Sequence, residues 1–270
     1  MPDKPEMRLT DQTGRHLELS EPPHRIISLV PSQTELLVDL GLSDYIVGVT
    51  KFCVHPEHLR KEKTVVGGTK QVRYDRIKKL KPDLILCNKE ENTLEMVNKL
   101  QPIAPVHVSD VKTISDNLDL IKQYGELFDC IEKSRQLVDN IEHERSIFKD
   151  SVNKTYIKNV LYFIWRDPWM SIGSDTFIHA MLKENYLENY NKDQLRYPEI
   201  DLTEAARNNH PDLIFLSSEP YPFKEKHRKE LHTMFPDSKI IRVDGEFFSW
   251  YGSRLLKAYN YFKELQKQLR

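Results

Sequence analysis

The chain has 270 residues, enough for one large domain or for two lobes of about 120 residues each, and either size can bury a proper core. Its 40 basic and 41 acidic side chains nearly cancel and are interspersed, so no basic field marks nucleic acid or a membrane surface as partner. No run of about 18 apolar residues is present. Cys53, Cys87 and Cys130 are an odd number of widely spaced thiols, which cannot complete a disulfide framework and lack a close-pair metal spacing, so reduced, buried thiols are the expectation.

Met7 to Leu19, with Asp11-Gln12-Thr13-Gly14 at its middle, reads as a hairpin, and Glu21-Pro22-Pro23 stops regular structure. Arg25 to Val30 is a β-branched strand, Pro31-Ser32-Gln33-Thr34 a polar turn, and Glu35 to Leu40 a helix ended by Gly41. Ile46 to Val49 predicts a strand. Phe52-Cys53-Val54-His55-Pro56 then leads to a Gly67-Gly68 turn, a helix over Asp75 to Leu80 and a strand over Leu84 to Cys87. A helix over Leu94 to Leu100 and a strand over Val106 to Val108 continue the alternation. From Ser115 to Ser151 the pattern is nearly unbroken helix without proline, and Ile131 to Val152 alone would span about 33 Å at helical rise. That is a stiff connection, unlike a linker rich in glycine, serine or proline. Alternation resumes with a strand over Val160 to Trp165, helices over Thr176 to Leu182 and Glu204 to Asn208, and a strand over Leu213 to Leu216. A helix over His227 to Met234, a strand over Ile240 to Val243 and an amphipathic helix over Arg254 to Leu269 complete the chain.

Lys81-Pro82-Asp83-Leu84-Ile85-Leu86 and His210-Pro211-Asp212-Leu213-Ile214-Phe215 repeat one strand start, with similar elements around each copy. The fold class expected is therefore α/β, as two similar lobes with mainly parallel sheets joined by one long rigid helix. The expected divisions are 1–24 as hairpin and lead-in, 25–114 as the N-terminal lobe, 115–153 as a helical segment containing the backbone helix, and 154–270 as the C-terminal lobe with its terminal helix. Two such lobes leave a groove, and the loops at the carboxyl ends of the strands are expected to face it. Those loops are aromatic: Phe52, Trp165, Trp169, Phe223, Phe247, Phe248, Trp250 and Tyr251 lie in or beside them.

Arg25-Ile26-Ile27-Ser28-Leu29-Val30-Pro31-Ser32-Gln33-Thr34-Glu35-Leu36, Gly41-Leu42, Val47-Gly48-Val49 and Lys81-Pro82-Asp83-Leu84-Ile85 resemble the helical-backbone, class III substrate-binding proteins of ABC importers. The similarity covers residues 25–265 and looks closest to the cobalamin-binding branch, related to ferric siderophore and haem receptors. The resemblance implies capture of a bulky ligand, a corrinoid or a ferric siderophore, as transported cargo rather than as a cofactor. It places cleft aromatics at Phe52, Trp165, Trp169, Tyr197, Phe248 and Trp250, with Glu246 in the last loop. It also implies docking on an importer permease through one acid per lobe, here Asp75 and Glu204; an acid in a first helical turn also complements the helix dipole. The chain departs from the cobalamin binders at Thr69-Lys70-Gln71 and Asn88-Lys89, where Lys70 and Asn88 make the first lobe's side more polar and cationic and suited to an anionic ligand.

Zinc, manganese or iron bound directly is the alternative, with His55 and Asp244 as its candidates. No catalysis is expected: Ser32 and Ser218 lie in no nucleophile elbow, and no phosphate-cradling glycine motif occurs. The protein is expected to be a monomer with a small-molecule partner and no nucleic acid. The first twenty residues carry no signal-peptide segment, which reads as cytoplasmic and makes an intracellular ligand binder a further alternative, whereas the resemblance implies a periplasmic or extracytoplasmic place.

Overall fold

The computed structural model describes residues 7–152, 157–208 and 210–269. The chain forms two compact units. The first runs to Glu142 and takes in Tyr251–Leu255; the second comprises His143–Trp250 and the chain from Leu256. The expected boundary at 153/154 lies outside the described residues.

In the first unit, β1 (Met7–Thr10) and β2 (His16–Leu19) form the expected hairpin. Then come β3 (Ile26–Ser28), α1 (Pro31–Asp39), β4 (Ile46–Thr50), α2 (Leu59–Glu62), β5 (Thr64–Gly67) and α3 (Tyr74–Leu80). They are followed by β6 (Leu84–Asn88), α4 (Leu94–Leu100), β7 (Val106–Ser109) and α5 (Ile114–Leu127). The five-stranded sheet is parallel, in the order β5-β4-β3-β6-β7. Leu84, Ile85, Leu86 and Cys87 are all fully buried, as a central parallel strand covered on both faces requires.

Three local readings are corrected. Pro31 to Thr34 is not a turn but the first turn of α1, because proline at N1 has no N–H to satisfy and its φ is already helical. Thr64–Gly67, read as loop, is an edge strand. At its end Gly67 sits at φ +140°, where a Cβ would lie 2.5 Å from the Gln71 carbonyl oxygen, so the reversal requires glycine. The supposedly unbroken helix is two, α5 and α6 (Ile131–Ser151), broken at Asp129 with φ 51°. At Gly125 a Cβ would lie 2.7 Å from Ser134 Cβ, so the missing side chain lets α6 start against α5.

The second unit carries β8 (Lys158–Phe163), α7 (Phe177–Glu184), β9 (Leu187–Asn189), α8 (Leu202–Asn208) and β10 (Leu213–Ser217). After these come α9 (Glu225–Met234), β11 (Lys239–Val243), α10 (Gly245–Ser249) and α11 (Leu255–Leu269). Its four strands are parallel in the order β11-β10-β8-β9. This matches β7-β6-β3-β4 of the first unit, with β5 lacking a counterpart.

The repeated Pro-Asp has one structural job in both units. Asp83, just before β6, accepts from the main-chain N–H groups of His24 and Arg25 at 2.8 and 2.9 Å, at the start of the neighbouring β3. Asp212, just before β10, accepts from Asn159 N–H at 2.7 Å, at the start of β8. In both sheets the residue after the aspartate pairs with the residue after the clamped one, Leu84 with Ile26 and Leu213 with Val160. A carboxylate thus supplies the acceptor that two parallel strands lack where they begin.

Candidate functional site: the carboxyl-end loops

In the first unit these loops rest on a buried polar layer. Gln33, in the first turn of α1, faces the Cys87 carbonyl, Ser109 Oγ and Tyr251 OH through its amide nitrogen at 3.2, 2.6 and 2.9 Å, and accepts from Tyr124 OH at 2.9 Å. Tyr251 belongs to the short segment that returns to this unit, and the same segment carries Arg254. Its guanidinium pairs with Glu35 of α1 through Nε to Oε2 at 2.8 Å and Nη2 to Oε1 at 3.2 Å, with both side chains nearly sealed from solvent. Burial pushes the Cys87 thiol up to about 12 and holds Tyr124 and Tyr251 well above the usual phenol range. None of these groups is poised to ionise.

Above this layer stands Phe52, 47% exposed in the loop after β4. The ammonium of Lys51 lies 4.9 Å from its ring centre, and a Cβ on Gly68 would touch its edge at 3.2 Å. Arg60 Nη1 donates to the Lys51 carbonyl at 2.9 Å, and Lys70 Nζ donates to the Glu90 carbonyl. Asn88 is buried and fully used. Its amide donates to Ser109, and its oxygen accepts from Glu90 N–H at 2.8 Å, so it shapes the loop after β6 and offers nothing outward. Glu91 beside it is held above the usual carboxylate range, first by burial, against the opposing pull of Lys70. His55 is half-buried in the loop after Phe52.

In the second unit the loop after β8 folds back on itself. Ile164 N–H donates to the Met170 carbonyl at 3.0 Å, and Met170 N–H donates to the Trp165 carbonyl at 3.1 Å. Ile200 N–H donates to the Trp169 carbonyl at 2.8 Å, which ties in the segment around Tyr197. Arg166 braces the loop from within. Nη1 reaches Asp167 Oδ2 at 2.7 Å, and Nη2 reaches both Glu230 oxygens at 2.9 and 3.0 Å. Its guanidinium also lies 5.4 Å from the Trp169 ring, which is stacked on Phe223 at 5.7 Å with 12° between the planes. Trp169 is consequently committed to internal stacking. Trp165 is the open ring of this loop, 40% exposed and set edge-on to Tyr221 at 5.5 Å. Tyr197 lies beneath the Arg196 guanidinium at 5.4 Å.

Two expected rim residues are not at the rim. Phe248 is fully buried among Tyr162, Phe215 and Phe262, because Gly245 to Ser249, read as loop, is the helix α10 and turns that ring into the core. Trp250 is 8% exposed, and its indole N–H donates to Glu219 at 3.0 Å. Asp244 caps α10 by accepting from Glu246 N–H at 3.0 Å, which also fixes Glu246 in its first turn. Asp75 and Glu204 are exposed in the first turns of α3 and α8. Among the described residues no group of three or more His, Cys, Asp or Glu is placed to hold a metal ion, and no helix is long and apolar enough to cross a membrane. Sequence reasoning passed over Tyr221, Lys51 and Arg60. Tyr221 stands between prolines in a loop already singled out, and Lys51 precedes Phe52, so both were visible as neighbours of named residues.

A family model described as periplasmic binding protein matches residues 26–236. The chain belongs to that family. Among its curated relatives is an ABC transporter substrate-binding lipoprotein of Bacillus subtilis, 28% identical over 214 residues, which span 76% of this chain and 67% of the relative. A vitamin B12-binding protein of Vibrio parahaemolyticus is 24% identical over 203 residues, 73% of this chain and 72% of the relative. The fold is shared with a solved Staphylococcus epidermidis protein described as possibly iron-binding and periplasmic. That match has a TM-score of 0.77 and 25% identity, covering 92% of this chain and 99% of the other.

Proposed function

We propose that this periplasmic binding protein captures a bulky small molecule, a corrinoid or an iron chelate, on its carboxyl-end loops and delivers it to an ABC importer outside the cytoplasmic membrane. The observation that carries this is an open aromatic ring in each unit at the place where open α/β sheets bind ligands: Phe52 after β4 and Trp165 after the central β8. Exposed rings on braced loops are suited to a planar face, at about 0.5–1.5 kcal/mol per pair beyond area burial. Tyr197 and Tyr221 extend the surface in the second unit, and Lys70 does so in the first. In this reading the chain performs no chemistry, and its ligand is cargo.

Asp75 and Glu204 are the acids offered to the permease. Both are exposed, and each lies in the first turn of the helix that precedes a repeated Pro-Asp strand. Mass spectrometry of small molecules released from the purified protein, read with an absorption spectrum for corrin, haem or ferric charge-transfer bands, tests the cargo. Absence of heat in calorimetry with cobalamin, haem and ferric siderophores would reject it. For docking, changing Asp75 and Glu204 together to alanine is expected to leave ligand affinity intact and abolish transport; full transport by the double variant removes that role.

A further inference from the structure

The carboxyl-end loops of the two units treat positive charge in opposite ways. In the second unit Arg166 is neutralised by Asp167 and Glu230 and lies against Trp169, so the loop presents aromatic surface with its charge spent internally. In the first unit Lys51 and Arg60 have no carboxylate within ion-pair distance among the described residues. Lys51 rests on the exposed ring of Phe52, Arg60 is anchored to the Lys51 carbonyl, and Lys70 is anchored to the Glu90 carbonyl. Neutral carbonyl oxygens orient these cations without cancelling them. Glu91, whose carboxyl feels the charge of Lys70, is an acid whose own charge burial disfavours. Lys89, by contrast, is paired with Asp110 at 2.7 Å and is not available in the same sense.

Resting on the reading of these loops as the ligand surface, we infer that Lys51, Arg60 and Lys70 with Phe52 form an anion-recognising corner of the first unit, so the cargo is a bulky anion carrying carboxylates or similar oxyanions. A cation over an open ring serves such a ligand twice, by pairing with its oxyanion and by leaving the ring edge for its apolar part. Exposed cations of this kind also act over distance, so capture speeds up and becomes sensitive to ionic strength.

The test is titration of the full chain, followed by tryptophan fluorescence and calorimetry, with three probes. They are haemin with its two carboxylates, a trianionic ferric tris-catecholate, and neutral cyanocobalamin. At low salt at least one anionic probe is expected to bind tenfold or more tightly than cyanocobalamin, with an affinity that falls as salt rises. Lys51→Gln with Lys70→Gln is expected to remove about that advantage while thermal unfolding is unchanged, and Lys51→Glu alone to weaken the anionic probe further. Tight cyanocobalamin binding with no salt dependence and no response to the lysine variants overturns the anion corner and leaves the proposed function standing. Binding of none of the three overturns both. Equal loss for charged and neutral probes in the lysine variants would show a shape role and likewise overturn the inference.

Discussion

Beside the apolar core of its sheet the first unit carries a buried polar layer under its loops and the second an aromatic cluster, although both start from similar parallel sheets and the same aspartate clamp. In the first, Gln33, Tyr124, Ser109, Tyr251, Glu35 and Arg254 interlock beneath the loops, and Phe52 stands out as an exposed ring. In the second, Phe248 packs with Tyr162, Phe215 and Phe262 in a buried aromatic cluster, and Trp165 stands out. A common scaffold therefore does not dictate what supports its loops. The polar version needs a returning segment to complete it, because hydrogen-bonding groups must be matched one by one whereas apolar rings need only volume.

The comparison can be broken first at its strongest contact. Arg254→Met leaves Glu35 buried without its ion partner and is expected to cost about 3–5 kcal/mol in denaturant unfolding, whereas Glu35→Leu with Arg254→Met is expected to cost clearly less. Equal losses would mean that the pair carries no charge-specific role. In the second unit Phe248→Ala is expected to cost about 3–5 kcal/mol by leaving a cavity, and Trp165→Ala to stay within about 0.5 kcal/mol while weakening ligand binding several-fold. The opposite ranking would return Phe248 to the rim.

The two clamps should differ in size. Asp83 serves two N–H groups and Asp212 one, so Asp83→Ala is expected to cost about 1–3 kcal/mol and Asp212→Ala no more than about 1 kcal/mol. Equal unfolding curves for the two variants would remove the idea that the clamp scales with its bonds.

The smallest effect concerns acid. His107 on β7 is fully buried, with Nε2 on Gln123 Oε1 at 2.6 Å and Nδ1 without a hydrogen-bond partner, and burial lowers its pKa against the opposing pull of that bond and of Asp11. The folded state resists a proton that the unfolded chain accepts. Its contribution is therefore level above the unfolded value of about 6.5, and stability falls as pH drops below it. His107→Asn is expected to flatten that part of the stability profile. An unchanged slope between pH 7 and 5 would show that His179 and His227, also lowered by burial, account for it instead.

The readable parts of this protein were those set by neighbours in sequence. Runs such as Leu84 to Cys87 and Leu213 to Leu216 announce strands because covered parallel strands must be apolar throughout. The repeated Pro-Asp announced two related units, and Trp165 to Trp169 broke every regular period and so read as a loop. What periodicity could not show was which of those aromatics face outward. Phe248, Trp165 and Trp169 look equally loop-borne in sequence, and only the turn of α10, which buries Phe248, and the stack of Trp169 on Phe223 set them apart from the open Trp165. Nor could it show that Arg254 pairs with Glu35 across 219 positions, or that Arg166 is neutralised while Lys51 is not. Local sequence sets backbone periodicity and the hydrophobic pattern, which depend on residues a few places apart. Which charges are cancelled and which rings are covered depends on side chains that only folding brings together.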